Sequence, residues 1–157
     1  MKKKQNKKLL IVIIILIVII TDQLIKEYIS NNIHSEILIK NVLNLSFVKN
    51  TGGAYGIGNN NVMILIILNI IIIGVLIAYV FIKEEQLKTN IIIFISIIIA
   101  GGMSNLIDRI FRGFVIDYID INPLFKYPVF NFADICIVCG AILIIIDLII
   151  NKNKQEI

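Results

Sequence analysis

Lys7-Lys8-Leu9-Leu10-Ile11-Val12-Ile13-Ile14-Ile15-Leu16-Ile17-Val18-Ile19-Ile20-Thr21-Asp22-Gln23-Leu24-Ile25-Lys26 is the stretch that decides the fold. Two lysines lead into twelve apolar residues, and an acid and a base then follow without any turn-forming residue between them. Twelve residues of helix rise only roughly 18 Å, short of a hydrocarbon core roughly 30 Å thick. The helix must therefore run on through Asp22, to about Tyr28, to cross. A basic start and a short apolar run also describe a secretory signal peptide. No small-x-small cleavage site follows here, and three more apolar segments do, so the stretch reads as the first of several spans.

Those three segments are Val62 to Ile82, Ile91 to Ile107 leading into Asp108-Arg109, and Phe132 to Ile150, each long enough to span. The composition agrees. Of 157 residues 58% are hydrophobic and 17% charged, and the mean hydropathy is +0.92, so the chain has too little polar surface for a water-soluble domain. The net charge of +4 does not point to nucleic acid. Its lysines gather before the first apolar run, as in a protein held at an anionic membrane face. The reading is a single all-α polytopic membrane domain over residues 1–157. Its helices lie near 9–28, 62–82, 91–108 and 132–150, with two longer loops at 29–61 and 109–131.

Four crossings put both termini on one side. Nine cations fall on that side (Lys2, Lys3, Lys4, Lys7, Lys8, Lys83, Lys88, Lys152, Lys154), against Lys40, Lys49, Arg109, Arg112 and Lys126 opposite. The positive-inside rule then makes the termini cytoplasmic and the long loops external. In the first long loop Leu43-Asn44-Leu45-Ser46-Phe47 alternates as a strand does, and Asn50-Thr51-Gly52-Gly53-Ala54-Tyr55-Gly56 reads as a turn.

Charges inside a bilayer are costly, so each buried acid is a functional hypothesis. At helical rise Asp22 lies roughly 20 Å above Leu9, Asp108 roughly 26 Å above Ile91 and Asp134 roughly 24 Å above Ile150. Three helices thus bring an acid to one outer layer, with Asn105 and Arg109 beside them and Asp117 within reach from a short loop. Asp147, near the inner end, reads instead as an interfacial residue beside Lys152. Part of the layer has a plain structural reading: Asp22 pairs with Lys26 at i, i+4, and Arg109 neutralises Asp22 or Asp108. Two acids still remain without a cation. Carboxylates forced together share a proton, as required of a pair that activates water and then protonates a leaving amine. A proton- or cation-coupled carrier is the competing reading. It needs polar residues near the midplane and beyond, whereas these gather at one face.

The ordered motifs are Thr21-Asp22-Gln23-x-x-Lys26, Val48-Lys49-Asn50-Thr51-Gly52-Gly53-Ala54-Tyr55-Gly56, Asn105-Leu106-Ile107-Asp108-Arg109-x-x-x-Gly113-x-Val115-x-Asp117-Tyr118, and Pro128-x-Phe130-Asn131-Phe132-Ala133-Asp134. With them the chain resembles the bacterial lipoprotein signal peptidases (signal peptidase II) over nearly its whole length. The resemblance implies an aspartic endopeptidase of the bacterial cytoplasmic membrane, with four membrane helices, a small extracytoplasmic β cradle and an active site near the outer face. Its substrates would be prolipoproteins bearing a diacylglyceryl cysteine, cut just before that cysteine, with membrane lipid as its other partner and no nucleic acid. It implies Asp117 and Asp134 as the catalytic pair. Asp22, Lys26, Asn50, Gly53, Asn105, Asp108, Arg109, Asn131 and Ala133 would support the site or hold substrate. Ser104 stands where glycine is usual and Tyr55 where phenylalanine is, departures expected to touch only fine packing.

No metal or cofactor is expected. Cys136-x-x-Cys139 sits in an apolar helix without a second ligand pair, and His34 is alone in a loop. The glycines Gly52, Gly53, Gly56 and Gly58 lack the Lys-Ser/Thr end of a phosphate loop.

Overall fold

A computed structural model describes residues 7–53 and 61–153. Four helices, α1 (Lys7–Asn32), α2 (Val62–Lys83), α3 (Thr89–Arg112) and α4 (Phe132–Asn153), are joined by a three-stranded sheet, β1 (Ser35–Ile39), β2 (Leu43–Asn50) and β3 (Val115–Asp120). All four helices are long and apolar enough to cross a membrane. α1 and α3 each run four residues beyond the outer ends expected from sequence. Asp22, Lys26, Asp108 and Arg112 did not stop them because those charges are paired with one another. Arg109 to Arg112 are therefore helical, and the second long loop begins at Gly113, whose left-handed backbone (φ 78°) ends α3.

α3 is the hub. Half of its most apolar stretch is buried, against 11–17% in the other three helices, and it packs on α1, α2 and α4. Its inward face is built from small residues, Ser96, Ala100, Gly101, Gly102 and Ser104. Lipid is as apolar as a core, so membrane helices associate through close packing rather than hydrophobic burial, and small residues permit that. A β-carbon on Gly101 would clash with the Ala133 carbonyl oxygen, and one on Gly140 would sit 2.9 Å from the Phe94 carbonyl. The α3–α4 seam thus depends on glycine from both helices. The isoleucines of α2, among them Ile64, Ile67 and Ile71, remain exposed, as lipid-facing residues should.

The sheet is antiparallel in the order β1-β2-β3. β2 extends three residues beyond the alternating stretch, and β3 has every residue from Val115 to Tyr118 buried. Ile116 and Tyr118 pack with Ile29 and Ile33 at the end of α1, which fixes the sheet to the bundle. Opposed residues share a face, so the pairings Val48 with Asp117 and Asn50 with Val115 put Asn50 and Asp117 on one face of the sheet. Of the expected turn, Gly52 and Gly53 are seen as a bend. Ala54, Tyr55, Gly56 and Gly58 lie outside the described residues, as do Lys2, Lys3, Lys4 and Lys154 of the cation count.

Candidate active site

The site is built around the N-terminus of α4. A helix begins with unpaired backbone N–H groups, which water cannot satisfy inside a membrane. Here each finds an acceptor: Phe132 N–H donates to the Tyr118 hydroxyl (3.2 Å), Ala133 N–H to Asp22 Oδ1 (3.0 Å), and Asp134 N–H to Asn131 Oδ1 (2.9 Å). Asn131 is the cap, and its own N–H returns a bond to Asp134 Oδ2 (3.1 Å). The reciprocal pair is a capping box with aspartate in place of glutamate.

The Asn131 side chain has a second task. Its Nδ2 donates to Asp117 Oδ1 at 2.6 Å, with longer contacts to the Ile116 carbonyl (3.3 Å) and Asn105 Oδ1 (3.2 Å). One fully buried asparagine therefore binds both Asp117 and Asp134. Each acid has one more amide: Asn50 Nδ2 donates to Asp117 Oδ2 (2.8 Å), and Asn105 Nδ2 to Asp134 Oδ1 (2.8 Å). Among the described residues neither acid has a cation within ion-pair distance. Burial, with the Asp134 charge second, pushes the Asp117 carboxyl up to about 7, against the lowering effect of Asn50, Asn131 and Lys26. Amides hold such a pair in place without taking its proton, whereas a cation would lock both acids ionised.

Behind the pair lies a buried charge cluster. Lys26 Nζ reaches Asp22 Oδ2 (2.6 Å), Asp108 Oδ2 (2.9 Å) and Asn105 Oδ1 (2.8 Å), so it orients the amide that holds Asp134. Asp108 Oδ2 also accepts the Ile116 N–H (3.3 Å), one residue before Asp117. Both acids and a cavity of ≈ 650 Å³ meet at this point, bounded by Asn50 and Gly53 on the sheet side, Arg109 on α3, and Ile137 and Val138 on α4.

The comparisons with known proteins fit this geometry. A family described as signal peptidase (SPase) II matches residues 14–150. The chain belongs to the signal peptidase II family. It is 37% identical over 145 residues to the lipoprotein signal peptidase of Staphylococcus aureus (strain JH9), covering 88% of each chain. To that of Clostridium acetobutylicum it is 34% identical over 121 residues, 76% of this chain and 78% of the relative. Two solved bacterial membrane enzymes share its fold. One matches with a TM-score of 0.83 and 36% identity over 92% of this chain and 90% of its own. The other matches at 0.78 and 37% over 88% and 91%. As a signal peptidase II the chain is a protease and a multi-pass bacterial membrane protein, which replaces the carrier reading of its buried acids.

Two expectations need correction in this signal peptidase II. Arg109 does not neutralise Asp22 or Asp108. Its Nη2 donates to the Gly52 carbonyl (3.1 Å), tethering the glycine turn, and its buried Nε has no hydrogen-bond partner among the described residues. Asp108 is paired instead by Arg112, one helical turn on, because α3 continues far enough to bring residue 112 onto the same face at i, i+4. Ser104 is more than packing: its hydroxyl donates to Asp22 Oδ2 (2.6 Å) and accepts from Gln23 Nε2 (3.0 Å). Its only signal in the sequence was a hydroxyl at a position where glycine is usual. Tyr118 and Gln23 stood inside the quoted motifs without a role, and the structure supplies one for each. Gly53 lines the cavity, and Ala133 acts through its backbone. Cys136 and Cys139 are free thiols, and Asp147 is bonded by Asn151.

Proposed function

We propose that this peptidase removes signal peptides from prolipoproteins carrying a diacylglyceryl cysteine, cutting just before that cysteine, and that Asp117 and Asp134 are its catalytic pair. The observation that carries the assignment is Asn131, one buried residue that bonds both carboxyls, Asp117 through its side-chain amide and Asp134 through its backbone N–H. Asp134 receives donors on both oxygens in the first turn of a helix, surroundings suited to the ionised partner. Asp117, held near neutrality, is suited to keep the proton. Asp134 takes a proton from water as the water oxygen bonds to the scissile carbonyl carbon. Asp117 gives its proton to the carbonyl oxygen, forming a gem-diol; as the C–N bond breaks, the proton on Asp134 passes to the leaving nitrogen and one diol hydroxyl returns its proton to Asp117, restoring the pair.

The placement supports the substrate class. The sheet side of the cavity is polar and Ile137 and Val138 bound it on α4. Acyl chains on the cysteine would then run along α4 in lipid while the polypeptide lies against β2 and β3. The active site would face outward and both termini the cytoplasm, the orientation that the cation distribution favours.

The test is cleavage of a lipid-modified prolipoprotein by the purified protein, read as the shortened product. Asp117→Asn and Asp134→Asn keep shape but remove the shareable proton, and each should lower turnover per folded molecule by at least about 10²-fold. Near-parental cleavage by either folded variant would refute the pair.

A further inference from the structure

The buried cluster behind the pair holds two carboxylates, Asp22 and Asp108, and Lys26 contacts both. One lysine cannot balance two acids, and an unbalanced charge in a water-poor interior is costly. The balance comes from Arg112. Its Nη1 bonds Asp108 Oδ1 and Gln23 Oε1 (2.9 Å), and its Nη2 reaches Glu27 Oε2 (3.4 Å). Arg112 lies in the unspecified x-x-x of the motif Asp108-Arg109-x-x-x-Gly113, so no motif assigns it a role. It stands on the last helical residue of α3, where free carbonyls also favour a cation.

The consequence reaches the active site by two routes. With one oxygen of Asp108 held by Arg112, the other is left to Lys26 and to the Ile116 N–H, which anchors β3 one residue from Asp117. Lys26, not claimed by Asp108 alone, keeps its bond to Asn105 and so keeps the Asn105 amide turned toward Asp134. We infer that Arg112 is a positioning residue for the cleavage reaction: through Asp108 it sets the charge balance under the aspartate pair and the proton occupancy of that pair. The inference rests on the reading of Asp117 and Asp134 as the catalytic acids.

The sign of the effect follows. The groups facing Asp117 are Lys26 from α1, Asn50 from β2, Asn105 and Arg109 from α3, Tyr118 on β3 itself, and Asn131 with Asp134 at the head of α4, while Asp22 and Asp108 stand behind them on Lys26. Arg112 itself faces Asp108, Gln23 and Glu27. Arg112→Gln leaves Asp22 and Asp108 against Lys26 alone, one negative charge in excess. A more negative surrounding holds the shared proton to higher pH, so the alkaline limb of the rate profile moves up. A full charge roughly 10 Å away at an effective dielectric near ~20 moves a titration by about one unit.

The experiment measures kcat/KM against pH for the parental enzyme, Arg112→Gln, Arg112→Met and Arg112→Lys in detergent, with a prolipoprotein peptide bearing a diacylglyceryl cysteine and rates per folded molecule. The expected result is an alkaline limb about one unit higher for the Gln and Met variants and at its parental place for Lys. Parental cleavage with an unmoved limb in folded Arg112→Gln would overturn the inference while leaving the catalytic pair intact. If neither neutral variant can be recovered folded, Arg112 is a folding residue and the inference is equally lost. Failure of the parental protein to cleave at all would sink the underlying reading instead, and this inference with it.

Discussion

Asn131 does two jobs that a pair of substitutions can separate. As the cap of α4 it accepts the Asp134 N–H, and as a donor it holds Asp117 at 2.6 Å. Asn131→Ala removes both. Loss of a cap costs about 1 kcal/mol, and leaving the buried Asp117 carboxyl without this donor about 1–3 kcal/mol, so about 2–4 kcal/mol of stability should go. Asn131→Ser keeps a side-chain oxygen for the cap but has no amide to reach Asp117, and should recover about 1 kcal/mol of that loss. Turnover should not recover with it. If the missing donor is felt in the reaction at about 1–3 kcal/mol, both variants lose about 5- to 10²-fold in rate. Thermal unfolding in detergent reads the first quantity, and prolipoprotein cleavage per folded molecule reads the second. A serine variant that cleaves near the parental rate would refute the claim that Asn131 orients the acid pair. An alanine variant as stable as the parent would refute the capping argument.

The α3–α4 seam should respond to Gly101→Ala, whose new β-carbon meets the Ala133 carbonyl. The helices must part, at about 1–3 kcal/mol, and cleavage should fall because the Asn105–Asp134 bond spans the seam; Gly74→Ala, with nothing within 4 Å, should be neutral in the same assays. In the parental enzyme kcat/KM should fall as pH rises past about 7, where Asp117 loses its proton; a rate flat to high pH would contradict its role as the acid. Asp117 has a folded pKa above the unfolded value of 3.8, so the stability it contributes is full below that value and is lost as pH rises toward about 7. Asp117→Asn lacks this loss, and its unfolding temperature relative to the parent should climb across that window and then level off. For orientation, cysteines placed at Ser35 and Lys126 should label in intact cells, and labelling at Glu85 instead would invert the topology.

The parts of the fold that were legible in sequence are those where the solvent leaves no choice. A crossing helix needs an apolar run of about 20 residues; three runs near that length stand in the chain, and the shorter first run must continue through Asp22 to reach it. The strands were less legible for two different reasons. β1 exposes every residue, including Ile37, Leu38 and Ile39 in succession, so it has no inward face to write an alternating pattern. β3 buries four residues in a row, so its pattern is continuous and reads as well for a helix as for a strand. Depth arithmetic found the layer of acids but not their partners, because an early helix end at Asp108 hid the turn that brings Arg112 back to it.

The acids and amides of the site stood out in sequence because the fold itself needs polar groups there. An α4 that starts within the apolar layer must have its first N–H groups satisfied by protein. Asp22 from α1, Tyr118 from β3 and the Asn131 side chain do so, and the Asn131 carbonyl accepts the next, from Ile135. Those acceptors draw α1, β3 and α4 to a single point. Asp134 becomes the third residue of a capped helix and Asp117 the neighbour of the cap. Much of the pair's geometry therefore follows from solving helix termination in a solvent without hydrogen bonds. A substitution that destroys a cap should disturb catalysis even where it touches neither acid. Tyr118→Phe is the mildest case: it frees only the Phe132 N–H, a cost of about 1–3 kcal/mol if the group stays dry. The direct bonds to Asp117 and Asp134 are untouched, so stability should fall more than the rate per folded molecule. The reverse order would mean that the Tyr118 hydroxyl acts on the substrate rather than on the helix.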